Sequence, residues 1–377
     1  MIKYLCFYDC SDVEGRNFPL AAATKIKYIC NALDCVNIPV EIVSASTSSS
    51  KGNFPASKER IRKNIILRKF RASKSKNLFQ KAINRVKSLF LLLIFLLSIK
   101  KEETLIVYHS LYYMNVVAIA KFFKKFKLVL EVEEIYGDVI KKIKTSEKEM
   151  RFFKKADAYI FPTELLNEKI NKNKKCYCVI HGTYNIEKIM VDKYNDGKIH
   201  CVYAGTFDER KGGVLAAISA AKFLTDKYCI HVIGFGGKTS QEKIKTLVEK
   251  TSNKSKCNVF YDGEKRGEDY LRYIQRCHIG LSTQNPNAAF NDTSFPSKIL
   301  SYMSNGLRVV SVRIPAIETS SVGDSVYFYN KQEPEEIAKA IMGVDINDNY
   351  DARKTIKELD EAFRVDVENM LRGLVKE

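Results

Sequence analysis

The stretch HCVYAGTFDERKGGVLAAISAAKFL, His200 to Leu224, decides the fold. An apolar strand, Ile199–Ala204, ends in Gly205, passes through a short acidic and basic loop, and gives way to a helix that opens on Lys211, Gly212 and Gly213. The same alternation continues downstream, with strands expected at Cys229–Gly234, Asn258–Tyr261, Ile279–Thr283, Arg308–Val312 and Val326–Tyr329. It also runs upstream. Strands are expected at 2–10, Val40–Ala45, Leu105–Ser110, Leu128–Ile135, Ala158–Pro162 and Cys176–His181, with helices over Pro19–Leu33, Tyr112–Lys125 and around Glu147. Short apolar strands separated by helices of roughly 10 to 15 residues predict parallel sheets covered on both faces. The fold class is therefore α/β, with two doubly wound, Rossmann-like domains facing a central cleft. Residues 1–190 form the first domain and 197–349 the second, and the polar stretch Asn185–Lys198 reads as a linker. Residues 350–377 read as a charged amphipathic helix that packs across the domains.

Length and composition agree. A chain of 377 residues suits two to three domains, and its 45% apolar content builds more than one core. With only 18 Gly and 8 Pro, collagen-like and low-complexity classes are excluded. The ten cysteines sit mostly among Val, Ile, Tyr and Phe, and no C-x-x-C pair occurs, so no metal site is expected and the setting is a reducing cytoplasm.

The net charge of +18 is concentrated in one place. Between Lys51 and Lys101 stand 15 Lys and Arg against a single acid, Glu59, a local excess of +14. The same segment carries LFLLLIFLLSI, Leu89–Ile99, apolar except for Ser98. Eleven helical residues reach only about 16 Å, half of what a bilayer span needs. Cations beside a short apolar run predict a helix or hairpin lying in an anionic membrane surface, against the alternative of a buried helix under a solvated basic face. No aromatic-interleaved motif points to nucleic acid.

Two turns carry anion-binding character. Lys211 stands where the helix after Gly205 begins, beside backbone N–H groups that lack helical partners. In NDTSFPSKILSYMSNGLRVVSV, Asn291–Val312, Pro296 suits a first helical turn, which puts Ser297 and Lys298 at the helix start, and Gly306 ends the helix. Two such cradles, each with a lysine, suit a nucleotide diphosphate. In LEVEEIYGD the alternation places Glu131 and Glu133 on one strand face and Glu134 on the other; Glu133 can serve as a base or stabilise a cationic centre. His109, at a strand end, is a candidate for acceptor or sugar contact, whereas His200, His231 and His278 have no partners in view and read as structural.

These motifs resemble the GT-B glycosyltransferases of family GT4, which include bacterial capsule and O-antigen enzymes. The resemblance is strongest over Ile199–Asn330, through YAGT-x-x-x-RKG, VIGFG, NVFYDG and FPSKILSYMSNGLRVVS; VEGRN, YHS and ADAYIFPTELL carry it through the first half. It implies that Lys211, Lys298 and the Ser297 backbone hold the diphosphate of a nucleotide sugar without a metal ion. It further implies that Tyr261 to Gly263 lie against the base and that Gly15 lets backbone approach the donor. Three positions depart from the family pattern. The arginine usual after the turn glycine is Thr206, for which Arg210 can compensate. The two donor-gripping glutamates fall on Thr293 and Ser301, leaving Asp292 as the nearby acid, and the strand-end histidine falls on Glu133. The resulting expectation is a glycosyltransferase, peripheral on the cytoplasmic face of the plasma membrane. It would move a sugar to a lipid-linked oligosaccharide acceptor in surface polysaccharide synthesis. A nucleotide-sugar epimerase and an inactive nucleotide-sugar-binding protein are the alternatives.

Overall fold

The computed structural model describes residues 1–9, 15–48, 52–207, 212–288, 291 and 293–376. The chain divides into two compact units, Met1–Thr183 with Glu361–Glu377, and Tyr184–Asp360.

Unit one begins with β1 (Ile2–Cys6), β2 (Arg16–Asn17), α1 (Leu20–Cys35), β3 (Val40–Ser44) and β4 (Thr47–Ser48). Next come β5 (Ser57–Arg62), β6 (Ile65–Lys69), α2 (Leu78–Leu97), β7 (Thr104–Tyr108) and α3 (Met114–Lys124). It continues with β8 (Lys127–Glu131), α4 (Tyr136–Val139), α5 (Ile143–Phe153), β9 (Ala158–Phe161), α6 (Glu164–Ile170) and β10 (Tyr177–Val179). Eight strands form one sheet in the order β10-β9-β8-β7-β1-β3-β6-β5, parallel except for the β5 edge. β1 lies at the centre, so every one of its residues is buried, as a strand covered on both faces must be.

The basic segment folds as a hairpin followed by a helix. Its first part is the β5–β6 hairpin, and β6 extends the sheet by pairing with β3. Ile65, Leu67 and Lys69 are buried while Ile66 and Arg68 are half-exposed, the period-two pattern of a half-buried strand. Several of its cations are neutralised by acids from other elements: Arg68 Nε lies 2.8 Å from Glu41 and Lys69 Nζ 3.5 Å from Asp9. The second part is α2, longer than the apolar run alone. Asn77 caps it by accepting the Gln80 N–H at 2.8 Å, while the Gln80 side chain accepts the Lys76 N–H at 2.8 Å. Leu92 and Leu96 are buried in the core and α2 packs along α3. No helix among the described residues is long and apolar enough to cross a membrane.

Unit two contains β11 (Ile199–Thr206), α7 (Gly213–Ala220), β12 (Tyr228–Phe235), α8 (Lys238–Ser252), β13 (Asn258–Tyr261) and α9 (Gly267–Arg276). These are followed by β14 (Ile279–Ser282), α10 (Lys298–Ser304), β15 (Arg308–Val312), α11 (Pro315–Glu318), β16 (Val326–Tyr329), α12 (Pro334–Met342) and α13 (Ala352–Lys376). Its six strands are all parallel, in the order β13-β12-β11-β14-β15-β16. The stretch expected as a linker is tied to this unit. Glu187 N–H donates to Ser304 O at 3.1 Å, Met190 N–H to Gln275 Oε1 at 2.9 Å and Tyr194 N–H to Arg276 O at 2.9 Å. Its polar residues spend their backbone groups on the unit instead of on water. The last helix is shared: beyond Asp360 it clusters with unit one, where the Phe363 ring lies 5.9 Å from that of Tyr28.

Candidate functional site

In unit two the site is built from the carboxyl ends of β11, β12 and β14, where a doubly wound sheet presents its ligands. Lys298 gets there through Tyr302, one helical turn further along α10. The Tyr302 ring is fully buried against Gly280 of β14, where a Cβ would come within 2.2 Å of it. Its hydroxyl accepts the Ala204 N–H at 2.9 Å, so α10 is fastened to β11. The first residue of α10 therefore reaches the end of the same strand. Lys298 Nζ sits 3.8 Å from the centroid of the Tyr203 ring, a cation–π contact, and a Cβ on Gly205 would lie 2.5 Å from it. Gly205 is paired with Gly234 across β11 and β12, and both adopt positive φ. On the other side, Thr283 Oγ1 donates to Gly213 O at 2.6 Å and Gln332 Nε2 donates to Thr283 O at 2.8 Å, which fixes the start of α7. A primary ammonium beside side-chain-free backbone suits an oxyanion that must come close to the chain.

Ser297 is the N-cap of α10, and its carbonyl accepts the Ser301 N–H at 3.2 Å. Ser301, at one of the two expected carboxylate positions, shares a 3.2 Å hydrogen bond with the hydroxyl of Tyr270, whose phenol is pushed up by burial. That place is therefore held by a pair of hydroxyls. Tyr261 ends β13 with its ring 6.0 Å from that of Phe207, and Gly263, at φ +71°, accepts the Gly234 N–H at 3.0 Å. Arg210, Lys211 and Asp292 lie outside the described residues.

Towards the amino end of β11 lies a histidine cluster with no sequence signal. His200 Nδ1 is 2.8 Å from His231 Nε2, His200 Nε2 is 3.1 Å from Asp196, and His231 Nδ1 is 2.7 Å from the Tyr273 hydroxyl, which donates to Asp262. The Tyr194 ring stacks on His200 at 4.0 Å. Although burial opposes it, the hydrogen bonds from His231 and Tyr273 hold the Asp262 carboxyl below the usual range. Asp196 and Tyr194 are sequence neighbours of His200, but His231, Tyr273 and Asp262 come together only through the sheet, so the cluster has no local sequence pattern.

In unit one, Gly15 has φ +74°, a left-handed conformation. Glu131, at the end of β8, is fully buried and accepts a hydrogen bond from the Tyr4 hydroxyl. Burial, reinforced by the charge of Glu133 and opposed by Lys25, pushes its carboxyl up to about 8. Glu133 meets Lys25 Nζ of α1 at 2.5 Å, and the same ammonium donates to Ile180 O at 3.1 Å. Glu134 is pushed up by burial and by Glu133 and Glu149. The three carboxyls therefore differ: one buried beside a phenol, one paired with an ammonium, one half-buried.

His109 is placed otherwise than a substrate-contacting group requires. Its ring is 2% exposed, walled by Tyr136, Phe152 and Phe153, and its Nε2 lies 2.7 Å from Glu149. Glu149 also accepts the N–H groups of Tyr136 and Gly137, at 3.0 and 2.6 Å. His109 thereby orients the turn after β8 from inside the core, and the distant partner that encloses it, Glu149, belongs to a helix whose packing the sequence does not reveal.

Residues 198–344 match the family described as Glycosyl transferases group 1. That part of the chain is a group 1 domain. It spans β11 through α12 and so contains Gly205, Tyr270, Lys298 and Ser301. Solved structures extend the likeness to the whole chain. A sucrose-phosphate synthase from Thermosynechococcus elongatus aligns with TM-score 0.68 at 14% identity, covering 99% of each chain. An alpha,alpha-trehalose 6-phosphate synthase from Burkholderia multivorans aligns with TM-score 0.67 at 8% identity, covering 99% of this chain and 96% of that one. An E. coli trehalose-6-phosphate structure bound with UDP-2-fluoro glucose aligns with TM-score 0.65 at 10% identity, covering 99% of each chain. At such identities the likeness is one of fold: two α/β domains of the GT-B class, the second of them the group 1 domain. No curated protein matches the sequence.

Proposed function

We propose that the protein is a glycosyltransferase that moves a sugar from a nucleotide diphosphate sugar to a lipid-linked oligosaccharide acceptor in surface polysaccharide synthesis, working on the cytoplasmic face of a membrane without a metal ion. The observation that carries the reading is Lys298, held beside the Gly205 backbone within the group 1 domain. As the glycosidic bond breaks, negative charge gathers on the departing diphosphate, and the ammonium is already in place to receive it. Lys211 and Arg210 are proposed as its companions and Tyr261 to Gly263 as the wall for the base. Glu133 is the proposed catalytic carboxylate, with Lys25 as the counter-charge that keeps it aimed.

Membrane attachment is supported by α2. Phe79, Ile83, Val86, Phe90 and Ile94 follow one another at helical spacing and are all exposed, and α3 exposes Ile119, Phe122 and Phe123. Monomers rarely leave that much contiguous apolar side chain in water. A second reading, an inactive sugar-nucleotide binder, is favoured by the hydroxyl pair at Ser301 and Tyr270.

The deciding experiment incubates the purified protein with a panel of nucleotide sugars, with and without a lipid-extracted acceptor, and follows released nucleotide diphosphate. Acceptor-dependent release, with slow hydrolysis of donor alone and little of either in Lys298→Ala, is expected. Binding without release would establish the inactive reading, and rearrangement of the sugar without acceptor would establish an epimerase.

A further inference from the structure

Unit one contains a groove of about 1390 Å³, walled by the β2–β4 ribbon, by residues 71–75 and by one face of α2. Lys81, Asn84, Arg85, Ser88 and Leu91 line it at spacings of three and four, a single helical stripe, and Arg71 enters from the opposite wall. Asn84 fixes the geometry by donating to Ser73 O at 3.3 Å and Ser75 Oγ at 3.0 Å, which ties α2 to the connection that carries Arg71. Arg16, on the far wall, is structural, donating to Phe70 O at 2.8 Å and Pro55 O at 2.9 Å.

The other cations are different. Arg71, Lys81 and Arg85 form no ion pair with any acid among the described residues, and no acid occurs between Arg60 and Lys101. Arg85 stacks over the Tyr112 ring at 5.1 Å, which narrows the choice of positions for its guanidinium. Unmatched guanidinium groups around a polar hollow suit an anion with several oxygens, because each fork can donate two hydrogen bonds. The groove is not wholly polar. Phe90 and Leu91 close one end, and Phe90 belongs to the exposed apolar stripe of α2 that also holds Phe79, Ile83, Val86 and Ile94. Charge and hydrocarbon are thus presented by adjoining faces of a single helix.

We propose that this groove binds the diphosphate head of an amphiphile, with Arg71, Lys81 and Arg85 on the phosphates and the hydrocarbon tail laid along Phe90 and its neighbours on α2. The assignment rests on the glycosyltransferase reading and specifies its acceptor: the sugar is handed to a molecule held by its lipid diphosphate, one molecule at a time. Attraction to a charged membrane surface in general would need no concave site.

The test is calorimetric titration of the full chain with farnesyl diphosphate, inorganic pyrophosphate, farnesol and glucose 6-phosphate, alongside phosphatidylglycerol vesicles as competitor. Farnesyl diphosphate is expected to bind at least about tenfold more tightly than any of the other small molecules, because only it engages both faces. The Arg71→Ala/Arg85→Ala variant, whose changes are on exposed side chains, is expected to lose about tenfold or more of that affinity. Phe90→Ser is expected to weaken farnesyl diphosphate while leaving pyrophosphate unchanged. Glucose 6-phosphate binding as tightly as farnesyl diphosphate, full competition by vesicles at equal phosphate, or no loss in the double arginine variant would each overturn the assignment. Thermal shift of the wild type by nucleotide sugars is read separately. A donor shift with no effect of the groove variants removes this proposal alone, whereas no donor shift from any nucleotide sugar removes the transferase reading itself.

Discussion

Lys298 Nζ occupies the space that a side chain on Gly205 would need: a Cβ there would stand 2.5 Å from the ammonium, on a backbone with φ +154°. Gly205→Ala is accordingly expected to push the flexible lysine aside and strain the strand end, weakening donor binding by roughly tenfold to a hundredfold, or about 1.4 to 3 kcal/mol. The far-ultraviolet circular dichroism should hardly change. Equal thermal shifts by nucleotide sugar in wild type and Gly205→Ala would show that the ammonium does not touch the donor.

The Lys25 and Glu133 pair makes a separate claim. Lys25→Met leaves Glu133 unmatched beside Glu131, and the expected loss of stability is about 2 kcal/mol, less than for a fully buried pair because Glu133 retains some water. Urea unfolding measures it. Glu133→Gln strands the more buried Lys25 ammonium and should cost a similar amount of stability, but it should also lose about a hundredfold in kcat with little change in donor KM. A glutamine variant with wild-type turnover would remove Glu133 from the chemistry.

His278 sets a pH dependence of stability. Its Nδ1 accepts the His200 N–H at 3.0 Å, which only an unprotonated nitrogen can do. Burial, helped by Lys193 and His200, pushes its pKa down to about 4. Between that value and the ordinary histidine range the unfolded chain binds the extra proton, so stability is full at neutral pH and declines as the solution is acidified. Discounted for partial exposure, the change is on the order of 1 kcal/mol. Melting temperatures at neutral pH and near pH 5 should show a smaller acid-induced drop in His278→Asn than in wild type. Parallel drops would assign the acid sensitivity elsewhere.

The proposed membrane attachment would depend on exposed rings. Phe90 and Phe122 are 60% and 72% exposed, and burying each in an acyl boundary should contribute about 1.5 kcal/mol or more. The Phe90→Ser/Phe122→Ser variant should therefore bind anionic vesicles at least about tenfold more weakly in co-sedimentation. Unchanged sedimentation would place the apolar face against something other than lipid.

Much of this was legible in the sequence because it is local. The strands of the second sheet, and those of the first outside the basic segment, follow from apolar runs bounded by turn residues. Tyr203, by contrast, is a plain strand residue until Tyr302 brings α10 back across it. His200 and His231 are 31 positions apart and meet only because β11 and β12 are neighbours in the sheet. The β5–β6 hairpin was hidden by its own charge: the inward alternation of Ile65 and Leu67 is only two residues long, and the acids that neutralise Arg68 and Lys69 come from β3 and from the loop after β1. His109 shows the reverse error, a strand-end residue whose enclosure depends on a glutamate 40 positions later.

Because residues after Asp360 cluster with the first unit, that unit is assembled from two segments far apart in the sequence. Phe363, Val367, Leu371 and Leu374 are buried. During synthesis the core of the first unit therefore stays incomplete until the segment from Phe363 to Leu374 has been made. A stop codon placed shortly before Phe363 would damage the region made first, although the lesion lies far downstream of it.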